Sequence, residues 1–128
     1  MNSKRVFLVL TTLLLGLLSG CQSSGSPSDA VVDYLQVMID GDWVQAVNLS
    51  CTTWEEGART EANSFDSIEA RLDGVTCSAE EAVGDVQGVT CKGVIVATYG
   101  IEDRELTLEG RVYQVVLEGG EWRMCGYQ

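Results

Sequence analysis

Five cysteines constrain the folding of this 128-residue chain more than any other feature of its sequence. Cys21 follows an apolar N-terminal run, whereas Cys51, Cys77, Cys91 and Cys125 are spread over the rest of the chain. Without Cys21, four cysteines remain. If this part of the chain is exported, an even number of cysteines predicts disulfides, here two, and four cysteines can pair in three ways. The pairing determines which elements of the fold must lie side by side.

The sequence Gly-Val-Thr-Cys occurs twice, ending at Cys77 and at Cys91, and Gly84 lies midway between them. If the chain turns at Gly84, these two cysteines face each other across a hairpin, at a distance that a disulfide can span. Cys51 would then bridge to Cys125 and connect a helix to the last strand. Four thiols binding a metal are the alternative, but the C-x₂-C spacing typical of zinc is missing, so no metal site is predicted.

The first twenty residues have the pattern of a signal peptide. Lys4 and Arg5 precede an apolar run from Val6 to Leu18, which is shorter than the roughly 20 residues that span a bilayer. The next residues, up to Cys21, read Leu-Ser-Gly-Cys, and this resembles the bacterial lipobox. A plain secreted protein and an N-terminal membrane anchor are the alternatives.

The lipobox resemblance implies that Cys21 becomes the mature N-terminus and carries a thioether-linked diacylglycerol. The membrane would then be a partner through this lipid, with the protein anchored to the cell membrane or outer membrane and its domain outside the cytoplasm. Residues 21–28 would form a lipidated cysteine and flexible tether, because QSSGSPS is small, polar and unpatterned. Residues 29–128 are predicted to form a single domain.

Charge and composition exclude several classes of function. The chain has no histidine, which excludes Ser-His-Asp and Cys-His catalysis. Its formal charge of −11 argues against a nucleic-acid partner. Without Lys4 and Arg5, six basic residues remain against 19 acidic ones, a side-chain charge of −13. Anionic lipid surfaces should repel such a domain, so attachment is expected to depend on acyl chains.

The order of the expected elements is helices first and strands afterwards. Apolar side chains recur at helical spacing after Asp29 and after Asp42, and a third helix is expected over 55–72, with a weak point at Asn63. Four strands are expected over Val75–Val83, Val89–Tyr99, Arg104–Leu117 and Glu121–Tyr127, with a bend near Gly110. This order predicts an α+β fold in which N-terminal helices pack on a curved four-stranded antiparallel sheet.

The opening segment PSDAVVDYLQVMIDGDWVQAVNLS, residues 27–50, resembles the start of nuclear transport factor 2-like domains. The resemblance implies a cone-like sheet wrapped around the helices. A cystatin-like arrangement is the alternative. Some members of the superfamily are isomerases. The candidates for the corresponding catalytic positions are Asp40, Asp42, Tyr99 and Tyr113. No catalytic motif matches, so no catalytic residue, enzymatic activity or cofactor is predicted.

Aromatic residues are the candidate lining of a binding pocket, with a place in the ordinary core as the alternative. The candidates are Tyr34, Trp43, Trp54, Tyr99 and Tyr113, with Trp122 as a further member of the aromatic set. The sequence therefore predicts a non-catalytic binding or interaction module at the cell envelope, with an envelope protein as the expected partner. Binding of a small apolar ligand inside the cone is the alternative.

Replacement of Cys21 with alanine should release the protein from membranes, because the thiol that accepts the lipid is lost. Fractionation of exporting cells measures this release. A Cys21→Ala protein that stays membrane-bound after processing would contradict the lipoprotein assignment.

Overall fold

The computed structural model describes residues 25–128, so the predicted signal peptide, Cys21 and residues 22–24 of the tether lie outside the described residues, whereas Pro27 and Ser28, predicted as tether, belong to the first helix. The described chain is an α+β fold in which helices precede an antiparallel sheet. The helical elements are α1 (Pro27–Ile39), α2 (Trp43–Asn48), a 3₁₀ turn (Thr52–Trp54) and α3 (Glu55–Asn63). The strands are β1 (Glu69–Val83), β2 (Val86–Tyr99), β3 (Glu102–Thr107), β4 (Val112–Glu118) and β5 (Glu121–Tyr127).

Side-chain caps start the first two helices. The Ser26 hydroxyl accepts a hydrogen bond from the backbone N–H of Asp29, and the Asp29 carboxylate accepts one from the N–H of Ser26, each 3.1 Å long. The Asp42 carboxylate likewise accepts from the N–H of Gln45 at 3.1 Å. These bonds satisfy donors that the first helical turn leaves free. Helix α2 begins after Asp42 as expected, whereas α1 begins at Pro27, before the expected start at Asp29.

The third helix is shorter than its apolar periodicity predicts. It ends at Asn63 rather than at residue 72, and β1 begins at Glu69 rather than at Val75. The Ser64 hydroxyl donates to the Glu61 carbonyl at 2.5 Å, which gives the backbone an alternative to further helical bonds. The chain therefore turns after Asn63, and Leu72 reaches the core from a strand.

Strand β2 is the centre of the sheet. Strand β1 pairs antiparallel along one side of β2, from Glu69 to Val83. The other side is shared, because β4 pairs with residues 86–90 and β3 pairs with residues 94–99. Strand β5 continues the sheet beyond β4.

The sheet has five strands, so the expected four-stranded sheet is wrong by one strand. The single strand predicted over 104–117 is divided into β3 and β4 by residues 108–111. Leu108 is 1% exposed and its N–H donates to the Gly93 carbonyl, while Gly110 has a φ of 86°. Near Gly110, where only a bend was expected, the strand is therefore interrupted completely. The turn at this interruption places the Leu108 side chain in the core.

Two disulfides connect parts of the fold that are distant in sequence. One joins Cys77 of β1 to Cys91 of β2, residues that are also register partners. The other joins Cys51, which follows α2, to Cys125 of β5. These are the pairs that a turn at Gly84 predicts, and two disulfides indicate an oxidising compartment outside the cytoplasm. Within residues 25–128, no helix has the length and apolarity needed to cross a membrane.

The hydrophobic core lies between the helices and one face of the sheet, which we call the inner face. The largest fully buried side chains at this contact include Tyr34 and Leu35 of α1, Tyr113 of β4 and Met124 of β5. These residues fill the space that a ligand would occupy under the helices.

Gly93 should be the glycine least tolerant of substitution in the sheet. It has a φ of 104°, and an added Cβ would lie 2.6 Å from the Gly74 carbonyl oxygen. Gly93→Ala should lower the free energy of unfolding by about 3 kcal/mol, from backbone strain and the steric clash together. Urea unfolding measures this change.

Gly100 is the matched control, because it also has a positive φ, of 67°, but has nothing within 4 Å of an added Cβ. Gly100→Ala should lower the free energy of unfolding by only about 1 kcal/mol. Equal losses in the two variants would show that the contact with Gly74 does not matter.

Candidate functional site

Five side chains from different elements meet around one carboxylate under the helices. We call them the Glu61 cluster: Tyr34 of α1, Trp54 of the 3₁₀ turn, Glu61 of α3, Tyr113 of β4 and Tyr127 of β5. The cluster holds the helical layer on the last two strands.

Hydrogen bonds occupy both oxygens of the Glu61 carboxylate. The Tyr34 hydroxyl donates to Oε2 and the Tyr127 hydroxyl donates to Oε1, each at 2.7 Å. The indole N–H of Trp54 donates to the Tyr34 oxygen at 3.1 Å. Because Glu61 already accepts from two phenols, its arrangement is that of a structural anchor rather than of a free general base.

Aromatic contacts surround these hydrogen bonds. The ring of Tyr127 meets Trp54 and Tyr113 edge to face, with centroids 5.7 and 5.8 Å apart. The guanidinium of Arg111 lies 4.9 Å from the Tyr127 ring centroid. The buried hydroxyl of Tyr113 has no hydrogen-bond partner among the described residues. The rings pack on one another, so the cluster is filled by the chain itself.

The cluster favours the protonated form of its tyrosines. Burial, together with the hydrogen bond to Glu61 and its charge, raises the pKa of Tyr34 far above the usual value. The hydrogen bond to Glu61, followed by burial, raises the pKa of Tyr127. Burial raises the pKa of Tyr113. In each case a phenolate would lose its hydration or face the carboxylate.

The structure brings together three of the five residues expected to line a pocket, namely Tyr34, Trp54 and Tyr113. Trp43 and Tyr99 lie elsewhere, on the surface, and are 40% and 46% exposed. An arginine packs over each exposed ring: Arg59 lies 4.4 Å from the centroid of Trp43, and Arg104 lies 5.4 Å from that of Tyr99.

The two aspartates considered for catalysis lie outside the cluster. Asp42 caps α2, as expected from its position, and Asp40 accepts a hydrogen bond from the Gln36 side chain at 3.0 Å. Sequence reasoning missed Glu61 and Tyr127. Glu61 lies three residues after the buried Ala58, which places it beside the apolar face of α3. This spacing is the sequence feature from which the inward position of Glu61 could have been predicted.

A cleft opens beyond the Glu61 cluster, where the tips of two hairpins and the 3₁₀ turn meet. We call it the hairpin cleft; its volume is about 600 Å³. Its lining includes Cys51, Thr52 and Thr53 beside the disulfide to Cys125, Ala82, Asp85, Val86 and Gln87 from the β1–β2 hairpin, and Val116, Leu117, Glu118 and Trp122 from the β4–β5 hairpin.

The hairpin cleft is the uncovered end of the inner face. Alternate residues of β4 point to one side, so Tyr113, Val115 and Leu117 share this face. Tyr113 and Val115 are buried, whereas Leu117 is 52% exposed. Trp122 is the register partner of Leu117 and is also only partly buried. The helices therefore cover the sheet as far as Val115 and leave the next row of side chains open.

The rim of the hairpin cleft is acidic. Asp85 lies at the β1–β2 turn, and Glu118 lies at the end of β4. The nearby Arg123 is already engaged, because it binds Glu121 at 2.5 Å and also donates to the Asn48 carbonyl. Apolar side chains and uncompensated carboxylates thus occur together at this site.

Comparisons with known proteins show no matching family model and no significant match among curated proteins. Within residues 25–128, no group of three or more metal-ligating side chains could hold a metal ion.

Alkaline pH should destabilise the protein through Tyr34 and Tyr127. Their pKa values are raised in the folded state, so an unfolded tyrosine ionises first and the folded state binds more protons. The stabilisation is complete below a pH of about 10, the unfolded value, and is lost as the pH rises through the folded values. Urea unfolding at a series of pH values measures the loss.

Tyr127→Phe tests the assignment, because it removes one of the titrating groups. Its free energy of unfolding should fall less steeply with pH above about 10 than that of the unaltered protein. If the free energy of unfolding falls equally steeply with pH in both proteins, Tyr127 does not contribute to the loss of stability at alkaline pH.

Proposed function

We propose that the protein is an exported, lipid-anchored, non-catalytic binding module that contacts a protein partner through the hairpin cleft. The observation that carries this proposal is the contrast between the two ends of the inner face. Under the helices, Tyr34, Tyr113 and Met124 are completely buried and fill the interior. Beyond the helices, Leu117 and Trp122 form an open apolar surface, which is typical of interaction sites.

The leader and the disulfides support export and lipid anchoring. The leader ends in Leu-Ser-Gly, directly before Cys21, and the two disulfides require oxidising conditions. The acidic domain would be repelled by anionic lipids, so two or three acyl chains on Cys21 would hold it at the membrane. The tether would place the domain close to the membrane surface, where an envelope protein can reach the cleft.

A cone-like fold similar to nuclear transport factor 2 is part of the proposal. The capped α1, the Gly41-Asp42-Trp43 break and the short α2 support it, together with the antiparallel sheet that follows the helices. In such a cone the helices occupy the interior, and the hairpin tips form the rim. The hairpin cleft would then be an opening at the rim.

Binding of a small ligand at the inner face is the second candidate. The buried and unpartnered hydroxyl of Tyr113 favours it, because a ligand or water molecule with a polar group could satisfy that hydroxyl. Catalysis has less support, since both oxygens of Glu61 accept hydrogen bonds from tyrosines.

Site-specific photocross-linking in cells that export the protein tests the proposed function. A photoreactive amino acid at Leu117 should give a discrete cross-linked species, because this side chain points into the cleft rim that contacts the partner. Ile101 is the matched control, because it is a completely exposed aliphatic residue at the β2–β3 turn. Equal cross-linking at both positions, or none at Leu117, would contradict the proposed contact surface.

A further inference from the structure

We propose that the partner presents a cationic polypeptide segment with an aliphatic anchor, and that this segment binds in the hairpin cleft. The inference rests on the proposed function and adds the chemistry of the partner. The apolar floor of the cleft, its acidic rim and the positions of the basic side chains in the described residues support it.

The floor of the cleft suits an aliphatic side chain. Leu117 is half-exposed, and its cross-strand partner Trp122, on the same face of the sheet, is partly buried. A volume of about 600 Å³ is in the range of binding pockets and accommodates an aliphatic anchor with neighbouring backbone. Burial of such an anchor against Trp122 would supply the apolar part of the binding energy.

The rim of the cleft requires positive charge from the partner. Asp85 and Glu118 line it, and a neighbouring depression that shares Thr52 and Glu118 adds Glu55. Arg123 also borders this depression, but it is paired with Glu121. A neutral or acidic partner would desolvate these carboxylates without compensation, whereas lysines or arginines would pair with them.

Basic side chains are few in the described domain, and none of them lines the cleft. The domain has six basic residues, and five of them contact aromatic or acidic groups of the chain itself. These contacts are Arg59 with Trp43, Arg71 with Asp103, Arg104 with Tyr99, Arg111 with Tyr127 and Arg123 with Glu121. These five basic side chains therefore do not neutralise Asp85 and Glu118 at the rim, and the two carboxylates can attract a cationic partner.

Other occupants fit the cleft less well. Nucleic acids and anionic lipid surfaces are repelled by the acidic domain, and so is a second copy of the same chain. Pairing of a partner strand with the edge of β1 is hindered by irregularities between Asp73 and Thr76 and between Ala79 and Ala82. Docking of side chains in the cleft is therefore the favoured mode.

A designed peptide tests the inference on the full-length protein in neutral detergent. The probe is an amidated peptide with two adjacent leucines flanked by lysines, and binding is followed by backbone-amide NMR. We expect saturable shifts at Leu117 and Trp122 that weaken as salt is added. Replacing the leucines with serine, or the lysines with glutamate, should each weaken binding at least about tenfold, because each change removes one part of the recognition.

Protein variants locate the binding site. Leu117→Ser and the double variant Asp85→Asn, Glu118→Gln should each weaken binding of the lysine–leucine peptide about tenfold. Ile101→Ser and the double variant Glu102→Gln, Glu105→Gln are the matched controls, because they change exposed residues at the β2–β3 hairpin. The controls should bind the peptide like the unaltered protein.

Each remaining outcome overturns the inference. Equal binding of the glutamate peptide would show that the partner need not be cationic, and equal binding by Leu117→Ser would place the peptide elsewhere. If no peptide binds while Leu117 still cross-links in cells, the cationic partner is wrong and the binding module stands. If Leu117 does not cross-link, the proposed function itself fails, whatever the peptide does.

Discussion

The Cys51–Cys125 disulfide fixes the chain between α2 and α3 on strand β5, at the boundary between the covered and the open part of the inner face. Beside it, the N–H of Cys51 donates to the Met124 carbonyl and the N–H of Met124 donates to the Leu49 carbonyl, each at 2.8 Å. A crosslink across 74 residues contributes about 4 kcal/mol by restricting the unfolded chain. Because the chain between α2 and α3 is fixed at Met124, the next row of the inner face, Leu117 with Trp122, stays open.

The Glu61 cluster makes the covered part of the inner face unsuitable for a large ligand. Glu61 connects α3 to α1 through Tyr34 and to β5 through Tyr127, and their rings occupy the available space. A half-buried carboxylate with two phenol donors is stable because its hydrogen-bonding capacity is used within the protein. The covered end of the sheet thus provides stability, while the open end carries the apolar and acidic surface that we propose for binding.

Local signals in the sequence predicted the elements that depend on neighbouring residues. The cap at Asp42, the turn at Gly84 and the pairing of Cys77 with Cys91 follow from spacing and turn chemistry. The end of α3 and the break between β3 and β4 did not, because apolar periodicity alone does not show which element supplies a buried side chain. Leu108 illustrates the point: it is buried by a turn rather than by a strand.

Native mass spectrometry of the full-length exported protein tests the central claim that the chain fills its own interior. After gentle release from neutral detergent, we expect the mass of the lipidated chain with two disulfides and no additional small molecule. A discrete small molecule that dissociates on activation, and is absent from the Tyr113→Phe variant, would contradict the claim. It would place a ligand at the inner face, against the hydroxyl of Tyr113.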